Sequence, residues 1–187
     1  MYSEQTLVEE LKKNSRKAHD QLVARYGQMI FAMIARIVSD VRDVQELTQD
    51  TLLTAIQKIY SFNPQLSRLS TWIGKIAYNK ALSFARHKEH VTIPIEDIEA
   101  ENSQLSNINS QLSNIDEALS TGSEDNIAML QQAVLTLPPD ERMLLSLYYF
   151  DSMPLADIAL MMDTTPQKLS KRLYNIRRKL YNRIKRR

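Results

Sequence analysis

Three glycines in 187 residues restrict what this chain can fold into more than any other feature. Tight turns with positive φ draw on glycine, and so do the loops that cradle phosphates. Few of the former and none of the latter can be built here. Helix is what remains, and the apolar residues agree. They recur at steps of three and four, which sets them along one side of a helix.

From about Asp20 to Arg86 the period is sustained. "DQLVARYGQMIFAMIARIV" aligns Leu22, Tyr26, Met29, Met33, Ile34 and Ile37. After a polar break, where Ser39 or Asp40 can cap, "SDVRDVQELTQDTLLTAIQKIY" aligns Val44, Leu47, Leu52, Ala55, Ile56 and Ile59. Its outward side carries Asp43, Glu46, Gln49 and Asp50. Such a face suits a cation, bulk water or a basic partner, and without a nearby His or third acidic segment a metal is disfavoured. Asn63-Pro64 breaks the pattern, a polar loop follows, and Ser70 or Thr71 can cap the next helix. In "STWIGKIAYNKALSFARHK" the residues Ile73, Ile76, Ala77, Ala81 and Phe84 share one side, with Trp72 at the entrance. Lys75, Asn79, Ser83 and Arg86 lie opposite. Cations interspersed with amide and hydroxyl groups, next to a loop and an aromatic, suit a nucleic-acid backbone and unstacked bases. A solvated amphipathic helix with Trp72 in the core is the plainer alternative.

The far end is more pointed. "LTLPPDERMLLSLYYF" opens a helix at Pro139, where a missing N–H costs little. "PLADIALMM" is a short second helix with Leu155, Ile158, Ala159 and Met162 inward. A brief turn leads to Thr165-Pro166, a cap and first residue for "QKLSKRLYNIRRKLYNRIKRR". There Leu169, Leu173, Ile176, Leu180 and Ile184 form the core stripe. Gln167, Lys168, Ser170, Lys171, Tyr174, Asn175 and Arg178 face away. Two helices joined by a short turn, the second one basic, describe a helix-turn-helix. After Asp163 there are ten basic residues and no acidic one in 24 positions. The short preceding helix and turn favour DNA over a membrane surface or a partner groove. Long side chains at the start of the last helix would reach base edges, while Arg172, Arg177 and Lys179 would flank phosphates.

Charge divides the chain in the same places. Residues 1–90 hold 13 Lys/Arg against 9 Asp/Glu, residues 91–125 none against 8, and residues 126–187 hold 11 against 5. The acidic middle contains "NSQLSNINSQLSNI", one heptad said twice, with Leu105, Ile108, Leu112, Ile115 and Leu119 in a stripe. Its many Ser and Asn residues are weak helix formers, so it is expected to fray when free. A flexible segment of 35 residues averages roughly 30–36 Å in reach and about 115 Å when taut.

Composition excludes further classes. No cysteine means no disulfide, thiolate metal site or thiol nucleophile, which suits a reducing cytosol. The opening "MYSEQTLVEELKKNSRKAHD" is charged and unlike a secretory signal, and no apolar run approaches the about eighteen residues of a membrane span. His87, Glu89 and His90 form the one spot resembling a metal or acid–base cluster, but no third ligand is evident and His19 is isolated. The expectation is a protein that is not an enzyme, with no catalytic residue, metal, cofactor or small-molecule substrate.

Taken in order, these segments resemble bacterial RNA polymerase sigma factors of the extracytoplasmic-function group, over about residues 20–88 and 126–185. "DVQELTQDTLLTA" resembles the part of sigma region two that grips the coiled coil of the polymerase β′ subunit. "STWIGKIAYNKALSFARH" resembles the helix that meets the minus-ten promoter element, with its Thr-Trp opening and Asn79. "LPPDERMLLSLYYFDSMPLADIALMMDTTPQKLSKRLYNIRRKL" resembles region four, which reads the minus-thirty-five element. The resemblance implies an all-α fold of two small helical domains, 1–90 and 126–187, joined by an acidic flexible linker, 91–125. It implies a cytoplasmic transcription initiation factor that binds core polymerase through Asp43, Glu46, Gln49 and Asp50. Promoter DNA would meet Trp72 with the loop 62–69, then Lys75, Asn79, Ser83 and Arg86, and upstream Gln167, Lys168, Ser170, Lys171 and Arg172. It implies control by an anti-sigma factor and no direct membrane insertion. Glu96, Asp97, Glu99 and Glu101 would lie in the polymerase's basic channel. The chain departs from the family at Tyr78, where Arg is common, at Leu69, where an aromatic is frequent, and at Asp163, where the turn usually has glycine. "QKLSKR" likewise replaces a more typical run. A stand-alone helix-turn-helix regulator is the alternative; it would need a dimer interface or a ligand pocket.

Overall fold

The computed structural model of the protein describes residues 2–89, 130 and 132–185. The acidic segment 91–125, with its doubled heptad and the four carboxylates assigned to the polymerase channel, lies outside the described residues, as does His90. Among the described residues there is no strand.

The first group of helices begins earlier than the periodicity suggests. α1 (Glu4–Lys12) is capped by Ser3, whose hydroxyl accepts from the Thr6 N–H at 3.1 Å, and buries Leu7, Val8 and Leu11. It ends at Asn14, whose φ of 58° turns the chain; Asn tolerates this left-handed conformation better than most residues. α2 (Arg16–Ala35) buries the expected row of Leu22, Tyr26, Met33 and Ile34, with Ala18 and Ile30 added. α3 (Val41–Gln57) is capped by Asp40, which accepts from the Arg42 N–H at 2.8 Å and the Asp43 N–H at 3.4 Å. The buried Thr51 hydroxyl, having no solvent, donates to the Leu47 carbonyl at 2.7 Å, which removes the cost of an unpaired polar group.

α4 (Leu69–Glu89) starts one residue before the first proposed cap, Ser70. The carboxylate of Glu4 on α1 takes the Leu69 N–H at 3.1 Å and the Tyr26 hydroxyl at 3.4 Å. One side chain thus ties α1, α2 and α4 together and fills the place that Ser70 or Thr71 was expected to hold. Each of the fully buried Leu22, Ile30, Ile34, Leu69 and Ile73 side chains contributes about 1.5–3 kcal/mol by leaving water.

The second group comprises α5 (Pro139–Leu145), α6 (Leu155–Met161) and α7 (Pro166–Lys185). Pro139 stands at the first position of α5, as its ring permits. α5 runs on into one π-helical turn, Ser146–Phe150; the Asp151 N–H returns to the Ser146 carbonyl at 3.1 Å. Thr165 caps α7, its hydroxyl accepting from the Lys168 N–H at 3.3 Å. Leu169, Leu173, Ile176 and Leu180 are buried as the stripe requires, against Met143, Leu144, Leu147, Ile158 and Met161.

The two groups share one continuous core, and α4 is where they meet. Apart from Thr71, its buried positions fill two adjacent i, i+4 rows, Leu69–Ile73–Ala77–Ala81–Ala85 and Gly74–Tyr78–Leu82. The first row was expected in part; the second was not. A Cβ on Gly74 would lie 2.6 Å from Met161 Cε on α6 and 3.4 Å from Met33 Cε on α2. Absence of that one carbon lets α6 lie close against α4.

Candidate nucleic-acid interface

On α4 the sequence-selected polar row stands where the helical projection puts it. Asn79, Ser83 and Arg86 are exposed, and Lys75 is partly covered. Lys75 already has a partner, since its ammonium group donates to the Asp163 carboxylate in the turn between α6 and α7. Trp72 is half-buried, tilted at 57° to the Phe62 ring with centroids 5.5 Å apart. Phe62 and Leu69 are themselves buried and anchor the loop between them. The loop's accessible part is therefore residues 63–66 and Arg68, with the Asn63 side chain accepting from the Gln65 N–H at 2.9 Å and Leu66 71% exposed. An aromatic beside an exposed loop and an amide-bearing row can stack one base and hold a strand.

Tyr78, a departure at sequence level, acquires a reason. It is buried beside Arg172, and burial raises its hydroxyl above the ordinary tyrosine value. A charged arginine there would sit unpaired in a tight interface, which is costly.

On α3, Glu46, Gln49 and Asp50 are exposed and Asp43 is partly covered. Asp50 lies 3.8 Å from Lys80 of α4, so this acidic face borders the basic one. Exposed ion pairs at that distance contribute little to stability; the face remains available to a basic partner.

On α7, the first two turns expose Gln167, Lys168 and Lys171, with Ser170 partly covered. Arg172 differs. Its guanidinium pairs with Asp140 of α5, and burial lowers its basicity. Lys179 pairs with Glu141 at 3.0 Å, and the buried Arg177 lies over the Tyr149 ring at 5.1 Å. The three cations read as phosphate clamps thus have partners within the protein: Arg172 and Lys179 tie α7 to α5, and Arg177 ties it to the π-helical turn. Asp140 and Glu141 decide which cations face outward. Their signal was present as two acids at the start of α5 facing a run of bases, but only the fold gives the pairing. Among the described residues no three His, Cys, Asp or Glu side chains are grouped so as to hold a metal ion.

The arrangement can dock a charged partner on α3, hold a nucleic-acid strand along α4, and enter a major groove with the start of α7. Comparison with known proteins points the same way. The family signature described as Sigma-70 region 2 matches residues 22–91, and that of Sigma-70, region 4 matches residues 127–180. The chain is 27% identical over 184 residues to the ECF RNA polymerase sigma-E factor of Escherichia coli (strain K12), covering 97% of this chain and 94% of that protein. It is 27% identical over 180 residues to the RNA polymerase sigma-H factor of Pseudomonas aeruginosa, covering 93% and 90%. Among solved structures, CnrH in complex with the cytosolic domain of CnrY is similar in fold, with a TM-score of 0.61 at 20% identity over 96% of this chain and 95% of that one. The sigma factor RpoE in complex with the anti-sigma factor NepR from Bartonella quintana gives a TM-score of 0.58 at 21% identity, over 89% and 96%.

Proposed function

This chain belongs to the extracytoplasmic-function group of RNA polymerase sigma factors, and from that premise we propose that residues 1–90 dock on core polymerase and hold the opened minus-ten region while residues 126–187 read the minus-thirty-five duplex. It is a transcription initiation factor that binds core polymerase and directs it to promoters. Asp43, Glu46, Gln49 and Asp50 offer a carboxylate and amide face to a basic surface of the polymerase. Trp72 and loop residues 63–66 receive an unstacked base, worth about 1–3 kcal/mol per stack. Lys75, Asn79, Ser83 and Arg86 follow the strand. Gln167, Lys168, Ser170 and Lys171 lie in the major groove, where bidentate contacts discriminate bases by about 1–3 kcal/mol each. Arg172 supports that helix through Asp140 and reaches DNA at its edge.

The polymerase makes the phosphodiester bond, and this chain supplies position. It works in the bacterial cytoplasm; no described helix is long and apolar enough to cross a membrane. An anti-sigma factor that covers these faces would silence it.

One observation carries the reading. The helix-turn-helix exposes Lys168 and Lys171 at the start of its second helix, while Asp140 and Glu141 of α5 pair with Arg172 and Lys179. That is the distribution a groove-entering helix needs. The test is reconstitution with bacterial core polymerase on a genomic DNA library, followed by sequencing of transcript starts. Defined starts sharing two upstream elements are expected. Absence of a holoenzyme, or dimeric binding to palindromes without polymerase, would replace this reading with that of a stand-alone regulator.

A further inference from the structure

We infer that Arg178, in the fourth turn of α7, holds a backbone phosphate at the rim of the upstream major groove and so fixes the register of the helix on the duplex. The inference rests on the two-element reading above and deepens it. The cations of α7 divide by what stands beside them. Arg172 and Lys179 have the carboxylates of Asp140 and Glu141, and Arg177 is buried over the Tyr149 ring. Arg178 is exposed, and among the described residues no carboxylate pairs with it. α7 itself contains no Asp or Glu. Arg178 can therefore meet an anion without first giving up an ion pair.

Its place on the helix decides which anion that is. Arg178 follows Lys171 by seven residues, which is two helical turns less about 20°. Both side chains thus leave the helix along one line, and that line runs through the exposed face of Gln167, Lys168 and Lys171. Seven residues also rise about 10.5 Å, whereas the major groove is about 8.5 Å deep. With Lys171 inside the groove, Arg178 stands at its edge, level with phosphates and clear of the bases. The planar guanidinium can give two parallel hydrogen bonds to phosphate oxygens. A contact of that kind carries no sequence information and sets register and orientation. Arg183 is also exposed, but it lies about 120° round the helix from Lys171 and points off the duplex.

The test compares native, Arg178→Ala, Arg178→Lys and Arg183→Ala chains, each assembled with core polymerase. Fluorescence anisotropy follows binding to labelled duplexes that span transcript starts mapped with the native holoenzyme, over a series of salt concentrations. Arg178→Ala should weaken binding about tenfold, evenly across the duplexes, and reduce the salt slope by about 1. Arg178→Lys keeps the charge and loses the fork, so the slope should return to the native value while affinity recovers only in part. Arg183→Ala should leave the slope unchanged. All four chains should unfold at the same temperature and assemble equally well with core polymerase. The inference is overturned if Arg178→Ala keeps the native slope, lowers the unfolding midpoint, impairs assembly, or changes preference at one base position. It is equally overturned if Arg183→Ala reproduces the loss, since net charge alone would then account for it. Absence of any mapped start from the native holoenzyme would sink the sigma reading itself and this assignment with it.

Discussion

Replacing Gly74 tests the contact at the centre of the fold. A Cβ there meets Met161 Cε at 2.6 Å, Met161 Sδ at 3.2 Å and Met33 Cε at 3.4 Å. Carbon pairs prefer about 3.5–4.0 Å, so both thioethers have to move, Met161 by about 1 Å. Methionine is the side chain best able to do so. Gly74→Ala therefore sets an overpacking cost of about 1 kcal/mol, the low end for added core carbons, against a gain of about 1 kcal/mol in helix propensity. The variant should be within about 0.5 kcal/mol of the native chain. Gly74→Leu adds three more carbons with nowhere to go, since Met161 and Met33 are almost fully buried. The cost then reaches about 3 kcal/mol, of which propensity returns less than 1, leaving a net loss of about 2 kcal/mol. Urea denaturation followed by circular dichroism measures this, and at about 2–4 °C per kcal/mol the midpoint of thermal unfolding should fall by roughly 4–8 °C. Adding Met161→Ala makes room, so the double variant should be more stable than the two single losses summed. If Gly74→Leu is as stable as the native chain, or if the double loss is additive, α6 does not lie against α4 as described.

Other predictions follow from single contacts. Asp140→Ala leaves the partly buried Arg172 without its carboxylate and should cost about 1–3 kcal/mol by urea denaturation; an unchanged midpoint would show that the pair does not hold α7. Lys168→Ala and Lys171→Ala should each weaken promoter binding by the holoenzyme evenly across sequences and reduce the salt slope by about 1; altered preference at one base position would instead make that lysine a reader. Burial raises the Tyr78 hydroxyl above its ordinary value of 10.0. Its neutral form is favoured in the fold, so this stabilisation is complete below pH 10 and disappears as pH rises through the raised value. Tyr78→Phe should flatten the alkaline decline in stability; the same decline in both proteins would assign it to other groups.

What the sequence could reveal followed from how local each signal is. α7 was legible because Thr165-Pro166 marks its start and Leu169, Leu173, Ile176 and Leu180 repeat over about three turns. α6 and the turn before α7 followed from the same punctuation. α1 passed unread: Leu7, Val8 and Leu11 make a single short row among charges, and only Glu4 reaching Leu69 and Tyr26 shows what the helix is for. The second buried row of α4 was hidden because Gly74, Tyr78 and Leu82 have meaning only once another group of helices lies on them. Long-range ion pairs were equally hidden. Lys75 and Arg172 read as free cations on helical projections, while Asp163 and Asp140, 88 and 32 residues away, engage them. The ends of the loop proposed to receive a base, Phe62 and Leu69, read as accessible and are core residues. Periodicity assigns a residue to a side of its helix; it does not say what stands opposite.

The division of labour between the two helical groups can be read directly with a photo-crosslinking amino acid placed at Asn79 or at Lys171 in a promoter-bound holoenzyme. Crosslinks from position 79 should fall on the opened strand near the minus-ten element, and those from position 171 on intact duplex near minus thirty-five. Crosslinks from both positions to the same short segment, or none to DNA from position 171, would contradict the account.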